Sequence, residues 1–348
     1  MYTKSPTPNL DMNLGASLTW EVDIWRKLRN ARDAAKMRFM AQHEGRNFLV
    51  ARLVAEMARC YYELMALDNS LKIFDENIEI QNKAFLKMQA LKHYAKANEL
   101  AVKRFEAQLM KTKSKRFELS QNVVEMENRL RFLSGVYEDK PILRSSETLM
   151  TLPLVPLQLG VPSELLKNRP DIRQAEYAIK AAKLDLKSVQ ANLYPSISIS
   201  SGIGFSAFDP SFLLNPKAMV YNLMGNLMAP VINRKAITAR IGMADAYQTQ
   251  TVLTYEQTLL QAYTEVLNQL ANIHNMQQSF ETKQREVVLL ERSINIANNL
   301  FQYAKANYVE VLLTQEEKLN AQNELVALKL NLMKSKVDLY RALGGGWQ

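Results

Sequence analysis

A single cysteine in 348 residues, Cys60, excludes an intramolecular disulfide and a cysteine-based zinc site. The three histidines, His43, His93 and His274, stand far apart in the chain. Glycine and proline are scarce, 11 of each. So few breakers argue against a many-turned all-β domain and against a Gly-rich nucleotide-binding fold. No apolar run of about 20 residues is present, so no transmembrane helix is expected. The longest uncharged stretch, Ser188 to Phe208, is too rich in serine and glycine to be a lipid-facing helix. The first residues, Met-Tyr-Thr-Lys-Ser-Pro-Thr-Pro, lack the apolar core of a signal peptide. No Ser/His/Asp order, paired-carboxylate cleft or phosphate loop stands out. No catalytic, cofactor-binding or metal residue is therefore assigned, no cofactor is expected, and the chain is not read as an enzyme.

What remains is a chain well able to bury a core, with 47% hydrophobic and 23% charged residues. The net charge is +9 and the pI about 9.4. Its basic residues are interspersed with acidic ones, as on solvated helix faces, so no nucleic-acid partner is expected.

The pentapeptide Tyr-Ala-Lys-Ala-Asn occurs at Tyr94–Asn98 and again at Tyr303–Asn307, an offset of 209 (303 − 94). The offset holds over distance, as a duplication requires. Gly135 falls on Gly344, and Val50, Met57, Leu64, Leu71, Ile78 and Phe85 fall on Leu259, Val266, Ile273, Phe280, Val287 and Ile294. Two tandem copies of one unit follow.

In the second copy Val252, Leu259, Val266, Ile273, Phe280, Val287, Ile294 and Phe301 occupy consecutive heptad positions. A second apolar row is interrupted at Gln269 and Lys283. A sustained 3.5-residue repeat imposes a left-handed supercoil. No proline interrupts Arg234 to Asn307. The pattern predicts long helices at about 27–94 and 234–303, each about 100 Å long at 1.5 Å per residue. Shorter helices follow at about 99–133 and 308–343. Asn98 and Asn307 suit the turns, because Asn tolerates the left-handed conformation and caps the next helix. Cys60 lies on an apolar row and reads as a buried core thiol.

Residues 136–162, with Pro141, Pro153 and Pro156, read as an irregular connector. Pro170 and Asp171 then suit the start of a helix to about 193. After it the period becomes two. Ile197, Ile199, Ile203 and Phe205 alternate with serine and glycine, giving a strand at about 196–206. A second is expected at about 218–228, where Val220, Met224 and Met228 share a face with Asn222 and Asn226. The offset places a third at about 10–19, with Leu14, Ala16 and Leu18 on one face. Strands of this length suit a membrane-spanning barrel or an amphipathic surface sheet, and the pattern alone does not separate them.

Three segments carry a resemblance: Leu165-Leu166-Lys167-Asn168-Arg169-Pro170-Asp171-Ile172-Arg173-Gln174-Ala175-Glu176 with Tyr194-Pro195-Ser196-Ile197; Tyr303 through Gln315; and Leu339-Tyr340-Arg341-Ala342-Leu343-Gly344-Gly345-Gly346-Trp347. In order and spacing they resemble the outer-membrane factors, the TolC-like exit ducts of efflux and type I secretion systems. The resemblance spans essentially the whole chain. It implies a mainly α fold with a small transmembrane β part. Tandem coiled-coil hairpins would form an α-helical tunnel, and the strands would contribute to a trimeric outer-membrane β-barrel.

The implied partners are two further copies of the chain, a periplasmic adaptor (membrane fusion) protein, an inner-membrane pump of RND or ABC type, and outer-membrane lipid. The implied location is the outer membrane of a Gram-negative bacterium, with a periplasmic tunnel. Ile197, Ile199, Ile203 and Phe205 become lipid-facing, and Asn307, Tyr308, Glu310, Asn98 and Glu99 fall at the periplasmic tip. Glu310 is open to two roles: with Asn307 it spells a capping box, and in a trimer it places three carboxylates near one axis. At offset 209 the counterparts of Pro170 and of the strand at 197–205 would precede Met1. The first repeat, 1–135, is therefore expected to be incomplete and the chain N-terminally truncated, against a full second repeat at 163–348. A soluble coiled-coil scaffold or periplasmic adaptor is the alternative, since heptads alone fit it. The Ser/Ile alternation and the strands between hairpins favour the duct.

Overall fold

The computed structural model describes residues 12–95, 97–136, 142–144, 149–152, 168–208, 215–303 and 305–347. Eight principal elements occur in the order β1 (Met12–Val22), α1 (Lys27–His93), α2 (Glu99–Ser134), α3 (Pro170–Gln190), β2 (Ser196–Ala207), β3 (Met219–Met228), α4 (Arg234–Gln302) and α5 (Tyr308–Ala342). Single 3-10 turns lie at Leu149–Thr151, Ala191–Leu193 and Pro216–Ala218. Most of the connector expected at 136–162 lies outside the described residues. No helix among the described residues is long and apolar enough to cross a membrane.

The chain divides into two compact units, each drawn from both halves of the sequence. One combines residues 1–44 with 173–258, the other 45–172 with 259–348.

The first unit holds one antiparallel sheet in the order β1-β2-β3. Leu14 pairs with Phe205, Ala16 with Ile203 and Trp20 with Ile199. Ile203 in turn pairs with Tyr221, Ile199 with Gly225 and Ile197 with Leu227. Directly paired residues share a face, so the register decides which side chains stand together. In the same unit α3 lies on the start of α1: Ser188 Oγ donates to the Lys27 carbonyl at 2.8 Å, and Arg38 pairs with Asp185. Arg173 pairs with the buried Glu44 at 2.8 Å.

Two expectations need correction. The first strand was expected at about 10–19, but it runs Met12–Val22, and residues 10 and 11 lie outside the described residues. The offset projected β3's end onto β1. β3 stops two residues before Pro230, which has no N–H for a ladder, whereas β1 has Glu21 at that position and keeps pairing to Val22. The left-handed residue of the first hairpin turn is Ala95 at φ 54, not Asn98, whose φ of −94 is extended.

The second unit is built from heptad packing. Val266 and Ile273 of α4 form one cluster with Leu332, Leu339 and Ala342 of α5. Cys60 and Leu64 of α1 join Val123 and Leu130 of α2 in another, and burial pushes the Cys60 thiol up. Lys283, which interrupts the apolar row, stays at the seam because Glu286 and Glu324 each accept from it at 2.7 Å. Gln269, the other interruption, keeps a buried side-chain oxygen without a partner among the described residues.

Candidate functional site

Three regions carry the residues that matter. The first is the sheet. Ile197, Ile199, Ile203 and Phe205 share a face with Leu14, Ala16, Leu18 and Trp20 on β1 and with Met219, Tyr221, Leu223 and Leu227 on β3. On β2, Ile199 and Ile203 are exposed while Ser200 and Gly202 between them, and Gly204 after them, are half-buried. An apolar face open to its surroundings is costly in water and needs a covering. The opposite face carries small and polar groups, Asn13, Gly15, Ser17, Ser198, Gly204 and Asn222, on β1 and β2 and along part of β3, where Val220, Met224 and Met228 stand with Asn222 and Asn226. A side chain at Gly204 would fall 2.7 Å from the Leu14 carbonyl oxygen, so β1 and β2 approach closely only because glycine is there. The apolar face of β3 was not identified from sequence. Methionine and leucine alternate with methionine and asparagine there, and only the pairing register separates the faces.

The second region is the pair of hairpin turns. Asn98 caps α2, its side chain accepting from Ala101 N at 2.8 Å. Asn307 caps α5 less firmly, accepting from Val309 N at 3.5 Å. The Asn307 side chain thus takes the N–H of Val309 and not that of Glu310, which the expected capping box requires. The backbone N–H of Glu310 bonds the Asn307 carbonyl at 3.1 Å, and the carboxylate is exposed. Glu99 bonds the Lys92 ammonium across the first turn. That hydrogen bond, and then the ammonium charge, hold its carboxyl below the ordinary value. Tyr308 packs with Phe301 and Leu312 on a core of Met88, Ala101, Val102 and Phe105. The structure therefore brings Asn98, Glu99, Asn307, Tyr308 and Glu310 to two turns that share one apolar cluster.

The third region is one that sequence reading missed. Arg169, only 6% exposed, donates to the Ala342 carbonyl at 2.8 Å, to Asp171 at 2.8 Å and to Glu265 at 2.9 Å. Arg341 reaches the same Glu265 at 2.5 Å. Burial works against the guanidinium charge, but the bonds and charges of Asp171 and Glu265 outweigh it, and its pKa lies above the ordinary value. Asp171 is thus the partner of a buried arginine as well as a helix-start charge. Gly344, at φ 88, lets the chain end pass Asn168, whose carbonyl carbon would lie 2.9 Å from a side chain there. No cluster of metal-ligating His, Cys, Asp or Glu occurs among the described residues.

Comparison with known proteins places this arrangement. The family described as "Outer membrane efflux protein" matches residues 5–136 and 161–345. The "Cation efflux system protein CusC" of Escherichia coli O6:H1 is 28% identical over 340 residues, covering 97% of this chain and 73% of that protein. The "Pyoverdine export outer membrane protein OpmQ" of Pseudomonas putida is 28% identical over 358 residues, covering 98% and 71%. A crystal structure of CusC superposes with a TM-score of 0.92 at 26% identity, covering 99% of this chain and 80% of that one. The outer-membrane channel OprN shares the fold at a TM-score of 0.89 and 23% identity, covering 97% and 82%. The lipid-compatible sheet joined to heptad hairpins is therefore that of an outer-membrane channel with a periplasmic helical tunnel, and the chain belongs to the outer membrane efflux protein family.

Proposed function

We propose that the chain is the subunit of a trimeric exit duct. It would receive substrates from an inner-membrane pump through a periplasmic adaptor and release them outside the cell. One observation carries this reading: a sheet with an exposed apolar face and an opposite face that on β1 and β2 is mostly serine, glycine and other polar residues, continuous in the chain with heptad-packed hairpins. The apolar side suits lipid and the small-polar side suits a water-filled lumen. Among the described residues both sheet edges, β1 and β3, are open, and a spanning barrel leaves no open edge, so neighbouring copies complete it. The duct works passively, and its chemistry is that of its lining.

The hairpin turns form the aperture. Glu310 is exposed beside the Asn307 cap, and three-fold symmetry gathers three carboxylates that attract cations. Tyr308 supports the turn from within the shared cluster, and Asn98 and Glu99 form the corresponding turn of the first repeat.

Bilayer insertion and conductance test the reading. Ile203→Arg should cost about 2–4 kcal/mol in a membrane and block insertion, whereas Ser200→Arg on the lumen side should insert. Equal effects of the two substitutions, or a chain that neither inserts nor conducts, would sink the duct. In the conducting channel Glu310→Gln should lower cation preference with little loss of trimer stability. Unchanged selectivity with a lower melting temperature would make Glu310 a capping residue alone.

A further inference from the structure

At one end of the sheet the strands meet the helices through three short passages. β1 enters α1 through residues 23–26, α3 reaches β2 through Tyr194 and Pro195, and β3 enters α4 through residues 229–233. The passages share a composition. Trp25 stacks on Tyr194 with ring centroids 4.7 Å apart, and its Nε1–H donates to the Pro195 carbonyl at 2.9 Å. Val231 is 80% exposed and Ile232 fully exposed. The acids nearby are already taken: Glu21 by Lys27 at 3.0 Å, Asp23 by Arg29 at 3.1 Å and Asp33 by Arg32 at 2.7 Å. Arg26, Arg234, Lys235 and Arg240 are left without an ion-pair partner among the described residues.

The opposite end of the sheet differs. Its described residues, 12–14, 205–208 and 215–220, hold one charged group, Lys217. Fully exposed aliphatic side chains beside surplus cations and a tryptophan–tyrosine pair form the chemistry of a bilayer's edge. Acyl chains give way to phosphates there, aromatic rings settle, and cations meet anionic headgroups.

We propose that this collar binds the headgroups of anionic phospholipids, of the phosphatidylglycerol type, in the leaflet that faces the helices. Arg26, Arg234 and Lys235 engage the phosphate, and Val231 and Ile232 lie against the first acyl carbons. A neighbouring cavity of about 570 Å3 is lined by Glu21, Ser196 and Met228 of the sheet's opposite face and also by Val231, Ile232 and Arg240 of the collar. The proposal rests on the membrane-spanning reading of the sheet, which wild-type insertion and conductance report on separately.

The test titrates the full chain in detergent with phosphatidylglycerol or phosphatidylethanolamine and counts bound lipids by native mass spectrometry. The wild type should retain phosphatidylglycerol preferentially. The triple variant R26Q/R234Q/K235Q should lower that preference at least about fivefold, as loss of phosphate-facing cations predicts. The control R285Q/R292Q, which removes two exposed cations far along α4, should leave it unchanged. Should the triple variant misfold, the wild type decides alone: raising salt from about 0.1 M to about 0.5 M should erode the preference by screening. Equal retention of the two lipids overturns the proposal, as does a preference kept by the triple variant or insensitive to salt. Competition by inorganic phosphate as effective as by lipid would overturn it too, marking a plain anion site.

Discussion

The two hairpin turns share the pentapeptide Tyr-Ala-Lys-Ala-Asn, yet they are closed by different means. In the first, Lys92 and Glu99 form an ion pair at the surface. At offset 209 those positions become Phe301 and Tyr308, which pack into the apolar cluster centred on Met88 and Phe105. The common residues do the common work: Asn98 and Asn307 both cap, and Tyr94 and Tyr303 both stand exposed. The residues that differ decide what each turn leans on. The first turn adds to the shared cluster a charge pair that water screens. The second is held by burial against the first hairpin. Duplication has preserved the route of the backbone and left its fastening free to change.

Removing the shared support should have the largest effect. Phe105 is nearly fully buried in the cluster that both turns use. Phe105→Ala should cost about 3–5 kcal/mol and raise amide exchange at both turns together. Loss of protection at the first turn alone would show that the second does not depend on that cluster. A transplant sharpens the contrast. Phe301→Lys with Tyr308→Glu copies the first turn's ion pair into the second. It should still destabilise by about 1–3 kcal/mol, because a surface pair does not replace buried aromatic area. An unchanged melting temperature would make the two fastenings equivalent. The caps come next. Asn98→Ala should cost about 1 kcal/mol and Asn307→Ala less, since its hydrogen bond is long. The opposite ranking in thermal unfolding would break the comparison.

Legibility followed the same division between pattern and partner. The heptad row from Val252 to Phe301 could be read because each position repeats the last, and all of its members are shielded to some degree. The alternation at 196–206 could be read because serine and isoleucine differ so much in polarity. β3 offered no such contrast, and its faces emerged only when Tyr221 was found opposite Ile203 and Leu227 opposite Ile197. The end of β1 was misplaced because an offset transmits position but not the local reason, here Pro230, for a strand to stop. Arg169 was visible as part of a motif, but its acceptors, Glu265 and the Ala342 carbonyl, lie 96 and 173 residues away. Of the turn residues, Asn98 and Asn307 announce their role locally. The cluster that joins the two turns depends on contacts between hairpins, which no local spacing encodes.

The smallest expected effect is the response of the first turn to acid. The hydrogen bond from Lys92, followed by the ammonium's charge, lowers the Glu99 pKa from its ordinary 4.5, with a small opposing contribution from burial. A depressed carboxylate stabilises the fold fully above its unfolded value, and that contribution fades as pH falls through the folded one. The first turn should therefore loosen below about pH 4.5 in a way the second, closed by Phe301 and Tyr308, does not share. Because the pair is exposed, the effect should be slight and should shrink further in high salt. Carboxyl-detected NMR of Glu99 reads it directly. In Lys92→Met the titration midpoint should rise to the ordinary glutamate range, while amide exchange at residues 305–307 stays as in the wild type. A midpoint that ignores the substitution would mean that Lys92 does not hold Glu99 in solution, and the two turns would then differ only in what the second one buries.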